Sequence, residues 1–149
     1  MKDIAIVYAS YHHKNTEKVA KYLQTKIDCD LFDVLTNPNI SLENYKTIIL
    51  ASGIYFSKFH KQMREFIDKT NFENKSIILL YTCGVKFWNY ANRVKKVLIK
   101  KKANILGICS CKGYDTYVFR SFGGIAKNRP NEKDLTEVET KVKEFLKIS

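Results

Sequence analysis

A doubly wound α/β fold, an open parallel sheet with helices on both faces, is what this sequence predicts. Short, nearly continuous apolar runs read as strands buried on both sides, and stretches with apolar residues at helical spacing lie between them. The two kinds alternate along the whole chain. Alternating strands and helices joined by right-handed crossovers build such a sheet.

The first run, Asp3 to Tyr8, is followed by a polar loop and then by Val19, Ala20, Leu23 and Ile27, one apolar stripe of a helix expected over Thr16 to Ile27. Cys29 to Val34 alternates apolar and acidic residues and reads as an edge strand, broken by Asn37-Pro38-Asn39. Thr47 to Ser52 is the next buried strand, ending at Gly53, and Phe59, Met63, Phe66 and Ile67 mark the helix after it. Ser76 to Tyr81 is the fourth strand, ending in Thr82-Cys83-Gly84, with Ala91, Val94 and Leu98 on the following helix. Ala103 to Cys111 supplies the fifth. After an irregular stretch from Lys112 to Pro130, a last helix carries Leu135, Val138, Val142, Phe145 and Leu146 on one face.

The length of 149 residues and the 45% apolar content suit one domain spanning 1–149. No apolar run is long enough to span a bilayer, and the expected location is cytoplasmic. Cys29, Cys83, Cys109 and Cys111 match no zinc spacing and read as reduced thiols. The net charge of +11 is compatible with nucleic acid, an anionic membrane surface, or an acidic protein or ligand as partner. Most of the basic residues are Lys, as a coding bias toward A and T also produces. The densest run, Lys95-Lys96 and Lys100-Lys101-Lys102, falls on a helix and its C-terminal end, where cations are favoured and a solvated face is expected.

In open α/β sheets a ligand sits beyond the carboxyl ends of the strands, where the connections reverse. Three loops therefore carry the chemistry. In Ser10 to Thr16, hydroxyls and side-chain donors run straight into a helix, whose unpaired N–H groups and positive dipole end suit a phosphate. Ser10, His12, His13, Lys14, Asn15 and Thr16 are the candidate donors; ordinary capping by Asn15 and Thr16 is the competing reading. The paired histidines have no further metal ligand near them in sequence. In Ser52-Gly53-Ile54-Tyr55-Phe56-Ser57, two aromatics stand where the chain should be exposed, so Tyr55 or Phe56 can face Phe87 or Trp88 across a flat conjugated ligand. The alternative is that these rings fold back as core. In Thr82-Cys83-Gly84, a hydroxyl, a thiol and a glycine offer close backbone approach; no histidine is committed to activating Cys83, and cysteine catalysis is not expected.

These residues resemble the flavodoxin family, whose first loop, Ser-x-Thr-Gly-Asn-Thr, wraps the phosphate of FMN. Ser10, Asn15 and Thr16 match its ends, and the Ser52-Gly53 and Thr82-Cys83-Gly84 turns fall where that family places its flavin loops. The resemblance covers essentially the whole chain and implies strand order 2-1-3-4-5. The loop is one residue longer than the usual form, and Lys14 stands in the place of glycine. The longer loop looks like a short archaeal and clostridial branch with Ser-x-His-His-Gly-Asn-Thr, which shares a motif matched by Gly123 to Lys127. It also occurs in menaquinone-dependent protoporphyrinogen dehydrogenases, to which Ser52 to Ile67 is similar.

The resemblance implies FMN as cofactor and electron carriage between proteins, with no side chain required as acid or base. The cofactor-binding set expected is Ser10, His12, His13, Lys14, Asn15, Thr16, Ser52, Gly53, Ile54, Tyr55, Phe56, Thr82, Cys83, Gly84 and Trp88. Typical flavodoxins are acidic, whereas this chain is basic, so the implied redox partner is acidic, as ferredoxins are, or a small substrate bearing carboxylates or phosphates. One alternative is an oxidoreductase acting on a quinone or porphyrinogen; another is a flavin-free anion or nucleic-acid binding module, although a nucleic-acid partner is not the expectation. The stretch Lys112 to Pro130, with Tyr114, Tyr117, Phe119, Arg120, Phe122, Lys127 and Arg129, is expected either to cover the flavin edge or form the partner surface, or to pack its aromatics under the last strand.

Overall fold

The computed structural model describes residues 2–11, 14–84, 89–113 and 128–149. Five parallel strands, β1 (Ile4–Ala9), β2 (Asp30–Asp33), β3 (Thr47–Tyr55), β5 (Ser76–Cys83) and β6 (Asn104–Lys112), lie in the order β2-β1-β3-β5-β6. A two-residue strand, β4 (Lys58–Phe59), pairs antiparallel with the end of β3. With that hairpin strand set apart, the order is the expected 2-1-3-4-5. The helices are α1 (Asn15–Gln24), α2 (Lys61–Lys69), α3 (Asn92–Lys100) and α4 (Glu132–Leu146).

The apolar runs become the central strands because both of their faces are covered. Ile48, Leu50, Ile77 and Leu79 point to one layer, with Met63, Phe66 and Ile67 of α2 and Val94 and Leu98 of α3. Ile6, Ile49, Ile78 and Leu80 point to the other, with Val19, Ala20 and Leu23 of α1 and Leu135, Val138 and Val142 of α4. Each large side chain taken out of water contributes roughly 1.5–3 kcal/mol, which is why the stripes rather than local propensity decide these helices. α4 is closed at its start by a reciprocal cap, in which Asn131 accepts from the Asp134 N–H and Asp134 accepts from the Asn131 N–H. The buried Asp134 carboxylate also pairs with Arg129.

Several boundaries differ from expectation. α1 ends at Gln24 rather than Ile27, because the chain tightens into a turn in which the Thr25 N–H donates to the Tyr22 carbonyl; Ile27 is still buried. Gly53 to Tyr55 continue the strand beyond its expected end, since β3 outlasts its parallel neighbour β1 and is then paired by the returning β4. Phe59, assigned to the helix by its spacing, is buried from β4 instead. Thr82 and Cys83 likewise belong to β5, paired with Cys111 and Lys112 of β6. Of the irregular stretch Lys112 to Pro130, residues 114–127 lie outside the described residues, and with them the Gly123 to Lys127 match.

Gly107 on β6 lies under the ring of Phe145, and a Cβ there would enter that ring. Gly107→Ala is expected to lower stability by about 1–3 kcal/mol in urea denaturation, the cost of overpacking. Adding Phe145→Leu should recover part of the loss, because the two positions are in contact.

Candidate functional site

β1 feeds α1 and β2 on one side of the sheet, whereas β3 feeds α2 and β5 on the other, so the connections diverge between β1 and β3. Register brings the strand ends level. Ala9 is opposite Ser52, and Ser52 and Gly53 are opposite Tyr81 and Thr82. Ser10, Thr16, Ser52 and Thr82 are all buried at this one end, an unusual concentration of hydroxyls for a site next to a parallel-sheet core.

Each of these hydroxyls is placed by a hydrogen bond. The Ser10 Oγ accepts from the Glu17 N–H at 3.1 Å, and the Thr16 and Thr82 hydroxyls meet at 2.7 Å, joining the start of α1 to the end of β5. The Ser52 Oγ donates to the Gly53 carbonyl and accepts from the His60 N–H at 2.9 Å, tying β3 to the segment that leaves the hairpin. Thr16 is therefore not the cap of α1. That position belongs to Lys14, which makes no side-chain capping hydrogen bond, and it is the Ser10 hydroxyl that takes the Glu17 N–H of the first turn.

Lys14 adopts φ 55° and ψ 33°, the left-handed conformation. Glycine adopts this conformation without penalty, and here a lysine bears a cost of about 1–2 kcal/mol. In return an exposed ammonium stands beside the positive end of α1. Asn15 packs its amide against Gly113, where a Cβ would come within 2.6 Å of the Asn15 Nδ2. The Gly113 N–H donates to the Cys83 carbonyl, which locks α1, β5 and the end of β6 together. Gly113 carried no motif signal, since its role rests on a neighbour nearly a hundred residues away.

The hairpin turns at Phe56 and Ser57, both left-handed at φ 52° and 65°, as a two-residue primed turn requires and as neither residue prefers. Phe56 holds its ring 87% exposed. Tyr55 does otherwise: its ring lies over Gly53, where a Cβ would come within 2.8 Å of its hydroxyl, and that hydroxyl accepts from the Tyr11 N–H and donates to the Tyr11 carbonyl. It bolts the hairpin to the first loop. Tyr11 and His60, neither in the expected set, enter the site through these bonds. Ile54 is half-buried in the strand, and Cys83 and Gly84 are buried behind the third loop. His12, His13, Phe87 and Trp88 lie outside the described residues.

Burial and nearby carboxylates push the Tyr8 phenol up to about 12; its hydroxyl faces Glu17, whose own pKa is lowered by Lys21. Burial and the neighbouring Arg64 lower the pKa of His60 from 6.5. Its neutral Nδ1 caps α2 by accepting from the Gln62 N–H at 3.0 Å. A histidine whose folded pKa is depressed binds its proton more readily in the unfolded chain, so it contributes stability above pH 6.5 that is lost as pH falls through the folded value. Denaturation followed from pH 7.5 to 5 should show this loss. His60→Asn, which caps without titrating, should flatten it.

A family model described as a flavodoxin domain matches residues 5–112. An uncharacterized protein of Methanocaldococcus jannaschii is 40% identical over 146 residues, covering 95% of this chain and 97% of that protein. Among solved structures, oxidised flavodoxin 2 from Bacillus cereus superposes with a TM-score of 0.72 at 16% identity, covering 98% of this chain and 99% of that one. A flavoprotein from Lactobacillus acidophilus, solved in complex with FMN, superposes at 0.60 and 16% identity over 74% of this chain and 93% of its own. The strand order, the hydroxyl-lined end of the sheet and the match across most of its length agree: the chain belongs to the flavodoxin family.

Proposed function

We propose that the chain, acting as a single domain over 1–149, binds FMN at the carboxyl end of its sheet and carries electrons between partner proteins. The observation that carries this reading is the convergence of the buried Ser10, Thr16, Ser52 and Thr82 hydroxyls with the lysine-flanked start of α1. That donor set suits a phosphate, which accepts from hydroxyls and backbone N–H groups and is attracted by the helix dipole. The chemistry FMN supplies when bound is one- and two-electron transfer.

In this reading Ser10, His12, His13, Lys14, Asn15 and Thr16 hold the phosphate. Ser52 to Phe56 and Thr82 to Gly84 flank the ring system, with Trp88 as a further stacking partner. Tyr55 contributes by holding the hairpin against the first loop, and Phe56, exposed at the hairpin tip, offers an aromatic ring for stacking. A further observation supports the same reading: the FMN-bound flavoprotein shares the fold. The partner is acidic and ferredoxin-like, by complementarity to the +11 charge. Four buried cysteines that form no disulfide, and the absence among the described residues of any helix long and apolar enough to cross a membrane, are compatible with work in the cytoplasm.

Protein purified without added cofactor should be yellow, or should bind FMN in a fluorescence titration. The double variant Asn15→Ala/Thr16→Val should weaken FMN about 10- to 100-fold, from hydrogen bonds to a charged group of about 1.5–3 kcal/mol, and riboflavin much less. Equal weakening of the two would remove the phosphate role, and no uptake of either would remove the reading.

A further inference from the structure

A cleft of about 260 Å³ lies between the β3–β4 hairpin and the start of α3, lined in part by Ser57, Lys58, Arg64, Asn89, Asn92 and Arg93. Among the described residues no acidic side chain lines it. None of its three cations takes part in the ion pairs among the described residues, whereas lysines elsewhere, such as Lys21 and Lys143, do. The helices that border it show the same bias. α1 and α4 carry acidic residues in their first turns, as the dipole favours; α2 and α3 carry none there, and place Lys61, Arg64 and Arg93 instead. The positive start of α3 and three side-chain cations therefore meet at one concavity, at the stability cost of like charges held together.

We infer that this cleft is the docking point for a carboxylate side chain of an acidic protein partner. Its volume falls below the roughly 300–1,000 Å³ typical of small-molecule sites, which favours a protruding side chain over a free ligand. Arg64, whose Nε donates to the Phe59 carbonyl while its terminal nitrogens remain, and the Arg93 guanidinium match a carboxylate, and the +11 charge of the chain steers an acidic protein toward it. The inference deepens the redox reading and rests on it only for what the docking is for: the cleft adjoins the hairpin that would flank the flavin, so a partner seated there stands next to it.

The test is calorimetric titration with a small acidic iron–sulfur ferredoxin as the probe, at low and high salt, beside an FMN titration of the same samples. Lys58→Gln/Arg64→Gln/Arg93→Gln should weaken ferredoxin binding about tenfold or more and flatten its salt dependence, with FMN affinity unchanged. Arg93→Glu alone, which removes no internal hydrogen bond, should act in the same direction. Lys69→Gln/Lys100→Gln/Lys102→Gln removes the same charge at the opposite end of α2 and α3 and should change binding less than threefold. Equal losses in the two triple variants, no binding by the wild type, or saturation of the cleft by citrate without ferredoxin binding would each overturn the inference. A protein that binds ferredoxin through the cleft yet takes up no flavin would leave the inference standing and remove the redox reading.

Discussion

The parallel pairing of β1 with β3 is the constraint on which the rest of this protein depends. Because neighbouring strands run the same way, every connection is a crossover, and because the crossovers diverge from this pair, the two chain segments leaving it cannot fill the space between them. Ser10 and Ser52 stand at that gap by register alone. The same pairing buries both faces of the strands, so the site end of the sheet is backed by a dry core and its polar groups must be satisfied locally.

That requirement explains the economy of the hydrogen bonds. Thr16 and Thr82 satisfy one another, Ser52 serves both its own strand and the departing hairpin, and Ser10 takes up the Glu17 N–H. Groups held this way are oriented before any ligand arrives, which lowers the entropy that binding must overcome. Three of the left-handed non-glycine residues stand at this end, Lys14 beside the helix start and Phe56 and Ser57 in the hairpin turn, where each costs some stability.

Charge is distributed with similar purpose. Much of the +11 is solvated lysine, and part of the run at the end of α3 is structural: the Lys101 ammonium donates to the Asp68 and Thr70 carbonyls, closing the C-terminal end of α2. The first turns of α2 and α3 are different, because acidic residues would have stabilised both helices there and are missing from both. A basic edge beside the hairpin is the result, in a family whose typical members are acidic.

Strand and helix identity, the alternation that predicts the doubly wound sheet, and the candidate hydroxyls were all legible in the chain itself, since apolar periodicity reports burial directly. Ser10, Thr16, Ser52 and Thr82 could be placed at one end of the sheet from order alone. What each of them does there could not be read, because a hydroxyl next to a helix start looks the same whether it caps that helix or, like Thr16, reaches a residue on β5. The length of β3, the exchange of Phe59 from helix to hairpin and the part played by Gly113 were invisible for a related reason. Each depends on a partner distant in sequence: the returning β4, the layer that receives the Phe59 ring, and the Asn15 amide. The sequence by itself determined which residues are buried and in what order the elements come. Only the tertiary structure decided which polar groups meet, because hydrogen bonds between crossovers depend on register and distance, and neither leaves a period in the sequence.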